Sequence, residues 1–279
     1  MKRFLLPLLI VACSVSAGAQ ALPSLLVPAD ARTLAMGGVS SIQDGSRVNL
    51  NGGLWAPGSV SCTVIGAQAA VRIGGRLTVE GGVSSFRDKP YDIYDENGAP
   101  GGSFSPYDLL INLGASYRIG KSLDAGVRVK SVTSGIAENA TGSAFCADIH
   151  AAYTGRGWYA GIAARNLGPA VNYGGGAYPL PALAALYGGW KPLDSLRLVA
   201  EADYLFAGTF MAGAGVEYAF RDMLFARAGY HYGDSARALP GFMSLGLGGK
   251  LAGFSLDASV LLLSDTLSAS FLVGLGYSF

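Results

Sequence analysis

The residue types best suited to catalysis are few in this sequence. It contains two histidines: His150, which lies near Asp148, and His231, which lies near Arg227. A histidine beside an acid could act as the general base of a serine hydrolase, but no serine stands next to either one. The histidines and cysteines also lack the spacing of a metal site. We therefore predict that the chain is not an enzyme and that it holds no cofactor and no metal.

Charged side chains form a more informative pattern, because many of them recur at every second position between small or apolar residues. In a strand such positions point to one face of the sheet. We predict that this set faces the interior of a barrel: Glu80, Asp124, Arg128, Lys130, Asp148, His150, Arg165, Arg197, Glu201, Asp203, Glu217, Arg227, His231, Lys250 and Asp257. The signs are mixed, whereas a ring of one sign would indicate ion selectivity. The set is either an ion network that fills the lumen, or a polar conduit or seat for an N-terminal segment.

The elements that would position these charges are strands of near ten residues, the length at which a tilted strand crosses a bilayer. Leu109, Ile111 and Leu113, for example, alternate with Asn112 and Gly114. We mark about thirteen such segments, at approximately 60–70, 75–86, 107–119, 122–133, 143–155, 157–166, 181–191, 194–205, 208–220, 222–232, 241–251, 253–263 and 267–279. Long connections at 87–106, 134–142, 167–180 and 233–240 alternate with tight turns, as in bacterial barrels.

Composition supports a membrane barrel over a soluble protein. Charged residues make up 14% of the chain, 41 residues are glycine, and the mean hydropathy is +0.36. A closed sheet pairs every backbone group within the bilayer, which an exported apolar chain without a spanning helix requires. We predict an all-β, transmembrane, antiparallel up-and-down barrel of about 14 strands, with 12 as the alternative count. A soluble sandwich would need charged outer faces, and a solenoid would need a fixed repeat.

The N-terminus predicts export. Lys2 and Arg3 precede an apolar run and then Ala17-Gly18-Ala19, so we expect a signal peptide at 1–19 with cleavage before Gln20. Lipidation of Cys13 is the alternative. Residues 20–58 would form a plug or the first strand, with 33–43 as the candidate for a fourteenth strand or a plug passing through the lumen, and residues 59–279 would form the barrel. By alternation Cys62 faces outward and Cys146 inward, which argues against a disulfide.

The last strand has the pattern of a second targeting signal, one for insertion into the outer membrane. Phe271, Val273, Leu275 and Tyr277 alternate with smaller residues up to the terminal Phe279. This pattern is typical of the tag that the outer-membrane barrel-insertion machinery binds. The expected location is the bacterial outer membrane, with membrane lipid and that machinery as partners. The net charge of +1 gives no basic surplus that would attract nucleic acid.

Three stretches together resemble the PorV/PorQ branch of the FadL-like outer-membrane barrels. The matching residues are Arg32, Gly37, Gly38, Asp44 and Asn51 in the first stretch, Asn166, Gly168 and Pro169 in "ARNLGPAVNY", and Glu217 and Tyr218 in "GVEYAF". Gly52-Gly53 stands where the family has Pro-Ala.

The resemblance implies a role in type IX protein secretion or in surface attachment of cargo, with secretion-system subunits or secreted cargo as partners. The alternative is FadL-like transport of a hydrophobic small molecule; a lipid-acting enzyme is a remote third possibility. Uptake predicts an apolar pocket next to the N-terminal segment and a gap in the wall. A secretion component predicts a filled lumen and loops shaped for a protein partner.

Overall fold

The computed structural model describes residues 21–28, 30–42, 45–55, 61–95, 97–264, 267 and 270–279. The expected signal peptide, the alternative lipid site at Cys13, the cleavage position before Gln20 and the motif residue Asp44 all lie outside this description.

The chain forms two short helical turns followed by strands. A 3₁₀ turn spans Pro23–Leu26 and helix α1 spans Ala31–Ala35. The strands are β1 (Arg47–Trp55), β2 (Cys62–Ile73), β3 (Leu77–Asp88), β4 (Tyr91–Tyr94), β5 (Pro100–Phe104), β6 (Tyr107–Ile119), β7 (Leu123–Ala137), β8 (Ala140–Thr154), β9 (Trp158–Leu167), β10 (Val171–Asn172), β11 (Ala177–Tyr178), β12 (Leu183–Leu193), β13 (Leu196–Leu205), β14 (Thr209–Phe220), β15 (Leu224–Tyr232), β16 (Phe242–Leu251), β17 (Phe254–Leu262) and β18 (Phe271–Ser278).

Fourteen of these strands close into one antiparallel barrel, as predicted. Each wall strand pairs with its neighbours along the chain, and β1 pairs with β18 to close the ring. The register of the closing pair runs from Arg47 opposite Ser278 to Leu54 opposite Phe271. The two remaining pairs, β4–β5 and β10–β11, are small hairpins outside the wall ladder.

Side chains alternate across the wall except at a few register shifts, such as the one between Ala147 and Ile149. On β6, Leu109, Ile111 and Leu113 are exposed on the outside, whereas Leu110 and Asn112 point inward and are partly covered. The exterior is therefore a continuous apolar surface, as a lipid-facing barrel requires. Among the described residues, no helix is long and apolar enough to cross a membrane.

The two ends of the barrel differ. One end, here called the turn end, carries tight turns such as 120–122 and 221–223. The opposite loop end carries the connections 89–106, 168–182 and 233–241. The prediction of a long loop at 134–142 is wrong, because β7 and β8 continue past the wall and leave only Glu138 and Asn139 as a turn. The two strands remain paired almost to their tips, so their backbone groups are satisfied without a loop.

The fourteenth strand is Arg47–Trp55 and not 33–43. Thr33 to Ala35 belong to α1, and Met36 and Val39 after them are buried against Val199 of β13 inside the barrel. The sequence signal for β1 is weak because Asn49, Asn51 and the Gly52-Gly53 pair dilute its alternation. Gly53 is nevertheless required there, since a Cβ would collide with the backbone of Phe271 on β18.

The predicted outward orientation of Cys62 is also wrong. Cys62 is buried with Val64 and Phe86 on the inner side of the wall. Alternation fails on this stretch because both faces are apolar: the outer face meets lipid and the inner face lines an apolar part of the lumen. Cys146 does point inward, and both cysteines are free thiols.

The depth of a lipid-facing position should set the cost of a charge. Leu113 lies midway along β6, and Leu251 lies at the turn end of β16. We expect Leu113→Arg to lower the free energy of unfolding by about 2–4 kcal/mol in phospholipid vesicles, and Leu251→Arg by less than about 1 kcal/mol. Reversible urea unfolding would measure both values, and equal costs would contradict a membrane-embedded wall.

Candidate functional site

The N-terminal segment, defined as residues 21–28 and 30–42, is shaped by its own sequence. Asp30 precedes α1 and its carboxylate accepts hydrogen bonds from the backbone N–H and the hydroxyl of Thr33, both at 2.8 Å. This is the usual capping arrangement at the start of a helix. Gly37 and Gly38 end the helix at positive φ, 74° and 76°, where a glycine is favoured.

The segment packs deep inside the barrel. Leu34 and Ala35 are fully buried, and α1 lies against β15, β16, β17 and β18. Inward-facing glycines on the wall make this approach possible, since a Cβ at Gly215 would meet the backbone of Met36. A Cβ at Gly37 would in turn lie 2.6 Å from the carbonyl oxygen of Tyr230. Backbone therefore touches backbone across this contact.

One ion cluster ties α1 to the wall. The Arg32 guanidinium donates two hydrogen bonds to Glu217, at 2.9 and 3.0 Å, and Arg227 donates to the same carboxylate at 2.7 Å. Arg227 also donates to Asp257 at 2.6 Å, and Arg197 lies 3.7 Å from Glu217. Burial disfavours the charged form of Arg32, but the Glu217 carboxylate outweighs that effect and raises the pKa of Arg32 above its usual value.

A second cluster holds the end of the segment. The Ser40 backbone N–H donates to Glu201 at 2.6 Å, and Arg165 donates to the same carboxylate at 2.6 Å and to the Ser40 hydroxyl at 2.9 Å. Asp203 lies 4.0 Å from Arg165. Glu201 therefore links the wall to the segment, just as Glu217 does.

A third cluster surrounds an irregularity in the wall. Between Ala164 and Leu167, β9 gains one residue relative to β8, and Asn166 adopts a positive φ of 57°. Asn166 is held there by hydrogen bonds to Asp148 at 2.8 Å and to the Pro181 carbonyl at 3.0 Å, and by a bond from Lys130. Lys130 also pairs with Asp148 at 2.7 Å. This bulge ends the β8–β9 ladder and turns the chain into the connection 168–182.

The other predicted lumen residues are less tightly joined. Arg128 pairs with Glu80 and lies 3.9 Å from Asp148. His150 lies 3.7 Å from Asp124. His231 is buried and stacks on Phe242 at 4.9 Å, and Lys250 lines the turn end of the lumen.

The motif residues fall into two groups. Arg32, Gly37, Gly38, Asn51, Asn166 and Glu217 lie inside, where the Asn51 side chain accepts a hydrogen bond from the Ala31 backbone at 3.3 Å. Gly168 sits against the backbone of Phe145, Pro169 is exposed, and Tyr218 faces outward. The proposed insertion residues, Phe271, Val273, Leu275, Tyr277 and Phe279, all point outward.

Two cavities lie toward opposite ends of the barrel. The turn-end cavity has a volume of about 280 Å³ and a mixed lining with many charged side chains, which include Asp30, Arg32, Arg47, Arg197, Glu217, Lys250 and Asp257. The loop-end cavity has a volume of about 680 Å³ and is mainly apolar, with a lining that includes Leu22, Pro23, Ser24, Val27, Trp55, Cys62, Phe86, Asp88, Tyr107, Asp108, Ser134, Ala238, Leu239 and Leu267. Among the described residues, the two linings have no member in common.

From the sequence we expect an apolar pocket beside the N-terminal segment only if the protein is a transporter, and we identify none of the residues that line the loop-end cavity. Its lining comes from the N-terminal segment, from the loop ends of several strands and from the connection 233–241, which are far apart in the chain. One signal was available: Trp55, Phe86 and Phe242 occupy inward positions at the loop end, where a polar lumen would place polar groups. Among the described residues, no group of three or more acidic, histidine or cysteine side chains could hold a metal ion.

Removing Glu217 should destabilise the barrel strongly, because it would leave Arg32, Arg197 and Arg227 with too little compensating negative charge. We expect Glu217→Gln to lower the free energy of unfolding by about 3 kcal/mol, as for other buried ion pairs that lose one partner. Asp124→Asn is the control, since its partners lie 3.7 Å away, and it should cost less than about 1 kcal/mol. Similar losses for the two variants would show that the cluster does not hold the segment.

Gly37 should be intolerant of any side chain. Gly37→Ala adds both backbone strain and a clash with the carbonyl oxygens of Tyr230 and Ala214, whereas Gly45→Ala adds only strain, because nothing lies within 4 Å of a Cβ there. Strain at positive φ costs about 1–2 kcal/mol. We expect Gly37→Ala to cost clearly more than Gly45→Ala and to expose the N-terminal segment to protease. Equal protease resistance in the two variants would contradict the packing described here.

Solved structures of outer-membrane transporters share this fold. The toluene transporter TbuX of Ralstonia pickettii aligns with a TM-score of 0.66 at 12% identity, over 91% of this chain and 99% of its own. The toluene transporter TodX of Pseudomonas putida aligns at 0.59 and 12% identity, over 95% of each chain. A FadL homologue of Pseudomonas aeruginosa aligns at 0.55 and 13% identity, over 92% of this chain and 96% of its own.

Sequence comparison adds nothing to this likeness, because no protein-family model matches the chain and no curated protein is significantly similar to it. The structural matches lend no support to the PorV/PorQ branch in particular. What they establish is architecture: the chain has the closed, fourteen-stranded barrel of the FadL-like outer-membrane proteins.

Proposed function

We propose that this protein is a non-enzymatic barrel of the bacterial outer membrane that takes up a small hydrophobic molecule. The observation that carries the proposal is the apolar loop-end cavity, whose lining includes Leu22, Pro23 and Val27 of the N-terminal segment. Its volume of about 680 Å³ falls within the range of small-molecule sites, about 300–1,000 Å³. The apolar exterior and the fold of toluene transporters support the same class of activity.

The lumen below the cavity is closed to apolar solutes. Leu34 and Met36 of the segment fill the middle of the barrel, and Arg32 and Ser40 anchor it to Glu217 and Glu201. An apolar molecule loses the benefit of burial when it moves next to paired charges. The loop-end cavity is therefore the place where such a molecule would rest after entering.

This arrangement favours uptake over a type IX secretion role. A secretion component was expected to have a filled lumen and loops shaped for a protein partner. The N-terminal segment fills the middle of the barrel, as expected for a secretion component, and the wall strands form a closed ring instead of leaving the gap expected for uptake. The apolar space beside the segment at the loop end is the feature expected for uptake, and the preference for uptake rests on it. The two histidines add no support for an enzyme, because His231 stacks on Phe242 and His150 faces Asp124.

Filling the cavity should block uptake. Ala238 lines the cavity, whereas Ala258 faces outward on β17. We expect Ala238→Trp to reduce the initial rate of radiolabelled toluene uptake about tenfold, the equivalent of about 1.4 kcal/mol in binding. Ala258→Trp makes the same substitution on the lipid side and should leave the rate unchanged. The assay uses cells that depend on this barrel, with equal amounts of folded protein verified by heat-dependent gel mobility.

Two results would contradict the proposal. If Ala238→Trp took up toluene at the normal rate while folded, the loop-end cavity would not lie on the route. If neither variant nor the unaltered protein raised uptake above that of cells without the barrel, hydrophobic uptake itself would be refuted for this solute.

A further inference from the structure

The chemical lining of the loop-end cavity carries information about its ligand beyond hydrophobicity. Asp88 on β3 and Asp108 on β6 both line this otherwise apolar space. Among the lining residues that the structure describes there is no lysine, arginine or histidine. The cavity therefore offers acceptors that carry negative charge and no positive group to neutralise a ligand's own negative charge.

The two carboxylates lie close together because of the strand register. Phe86 on β3 is opposite Asp108 on β6, and the Asp88 backbone N–H bonds to the Pro106 carbonyl at 2.9 Å. Asp88 and Asp108 are therefore diagonal neighbours on the inner face, at a separation of about 7–8 Å between such positions. Both carboxylates are partly exposed toward the cavity.

Each of the two carboxylates keeps hydrogen-bond acceptor positions that the surrounding protein groups do not fill. The Ser24 hydroxyl donates to Oδ2 of Asp108 at 2.6 Å, and a carboxylate can accept about four hydrogen bonds in all. The Asp88 side chain lies within hydrogen-bonding reach of the Cys62 thiol, a weak donor, and the Asp88 backbone carbonyl accepts a bond from the Ser105 hydroxyl. Acceptor positions thus remain on both side chains for a donor supplied by a ligand.

We infer that the cavity selects apolar molecules that carry a hydrogen-bond donor, namely a hydroxyl group on a hydrocarbon skeleton, and rejects carboxylate anions of the same skeleton. This inference rests on the proposed function and specifies its substrate class. A hydroxyl donating to a charged acceptor forms a strong hydrogen bond inside an apolar space. An anion would instead meet like charges after losing its hydration.

The charged residues around the loop-end cavity also disfavour anionic ligands. Among the described residues of the loop end, acidic side chains outnumber basic ones: Asp88, Asp92, Asp95, Asp108, Glu138 and Asp234 against Arg87, Lys89 and Arg237. A field of one sign over an entrance changes the local concentration of charged solutes. Anionic amphiphiles would therefore be disfavoured before they reach the cavity.

A matched ligand series tests the inference directly. Naphthalene, naphthol and naphthoate share one skeleton and differ in having no polar group, a donor or a negative charge. Their binding to the purified full-length barrel would be measured by equilibrium dialysis at neutral pH, against the same detergent without protein. We expect naphthol to bind at least about tenfold more tightly than naphthalene. Naphthoate should bind at least about tenfold more weakly than naphthol.

Variants of the cavity show whether the two carboxylates cause this order of binding affinities. In the double variant Asp88→Asn/Asp108→Asn, which keeps an acceptor for Ser24, we expect the penalty on naphthoate to fall about tenfold and naphthalene binding to stay the same. The control Asp92→Asn/Glu138→Gln removes the same charge from exposed loop-end positions that do not line the cavity, and it should preserve the wild-type order.

The outcomes separate the two proposals. If naphthalene and naphthol bind equally, or naphthoate binds most tightly, the donor selectivity is refuted while hydrophobic uptake stands. If the control variant changes the order as much as the cavity variant does, the effect belongs to the surface field, and the assignment to Asp88 and Asp108 is wrong. If none of the three compounds binds, the proposed function fails at the same time.

Discussion

Closure of the sheet between β1 and β18 is the constraint on which the rest of the structure depends. A strand that faces lipid has no water to satisfy its backbone, so every N–H and C=O must find a partner in the neighbouring strand. Pairing of Arg47–Leu54 with Phe271–Ser278 removes the last two free edges. Once the ring is closed, each wall side chain faces either lipid or the lumen, so successive side chains of a regular strand alternate between the two.

The same alternation brings charges together inside. Glu217, Arg227 and Asp257 come from three nearby wall strands, β14, β15 and β17, with β16 between the last two, and all point to the lumen. Buried charges are tolerated only when they are paired and hydrogen-bonded. Arg32 of the N-terminal segment completes this pairing at Glu217. The wall therefore requires the segment for its electrostatic balance as much as the segment requires the wall for burial.

Long strands with distinct faces could be predicted from the sequence, and the exceptions have physical causes. Leu109 to Tyr117 alternate with polar or small residues, so the face of β6 is evident. β1 lacks this contrast because Gly52 and Gly53 carry no side chain, and a Cβ at Gly53 would collide with the backbone of β18. Cys62 is misplaced because its strand faces apolar surroundings on both sides. Pairing partners of individual charges, such as Arg165 with Glu201 and Ser40, depend on three-dimensional register, which composition and period do not encode.

The loop-end cavity also results from the matching of inward wall side chains to the N-terminal segment, which is apolar at that end of the barrel. Inward positions beside Arg32 must match its charge and include Glu217 and Asp257, whereas inward positions beside Leu22, Pro23 and Val27 match an apolar partner and are apolar. The interior is thus divided along its length by the sequence of the N-terminal segment. Under the proposed function this division would sort a solute: hydrophobic burial would favour the loop end, and the paired charges at Glu217 and Glu201 would oppose passage deeper into the barrel. Asp88 and Asp108 are the charged groups among the described residues of this apolar lining, so in the selectivity that we infer they would decide between otherwise similar apolar ligands.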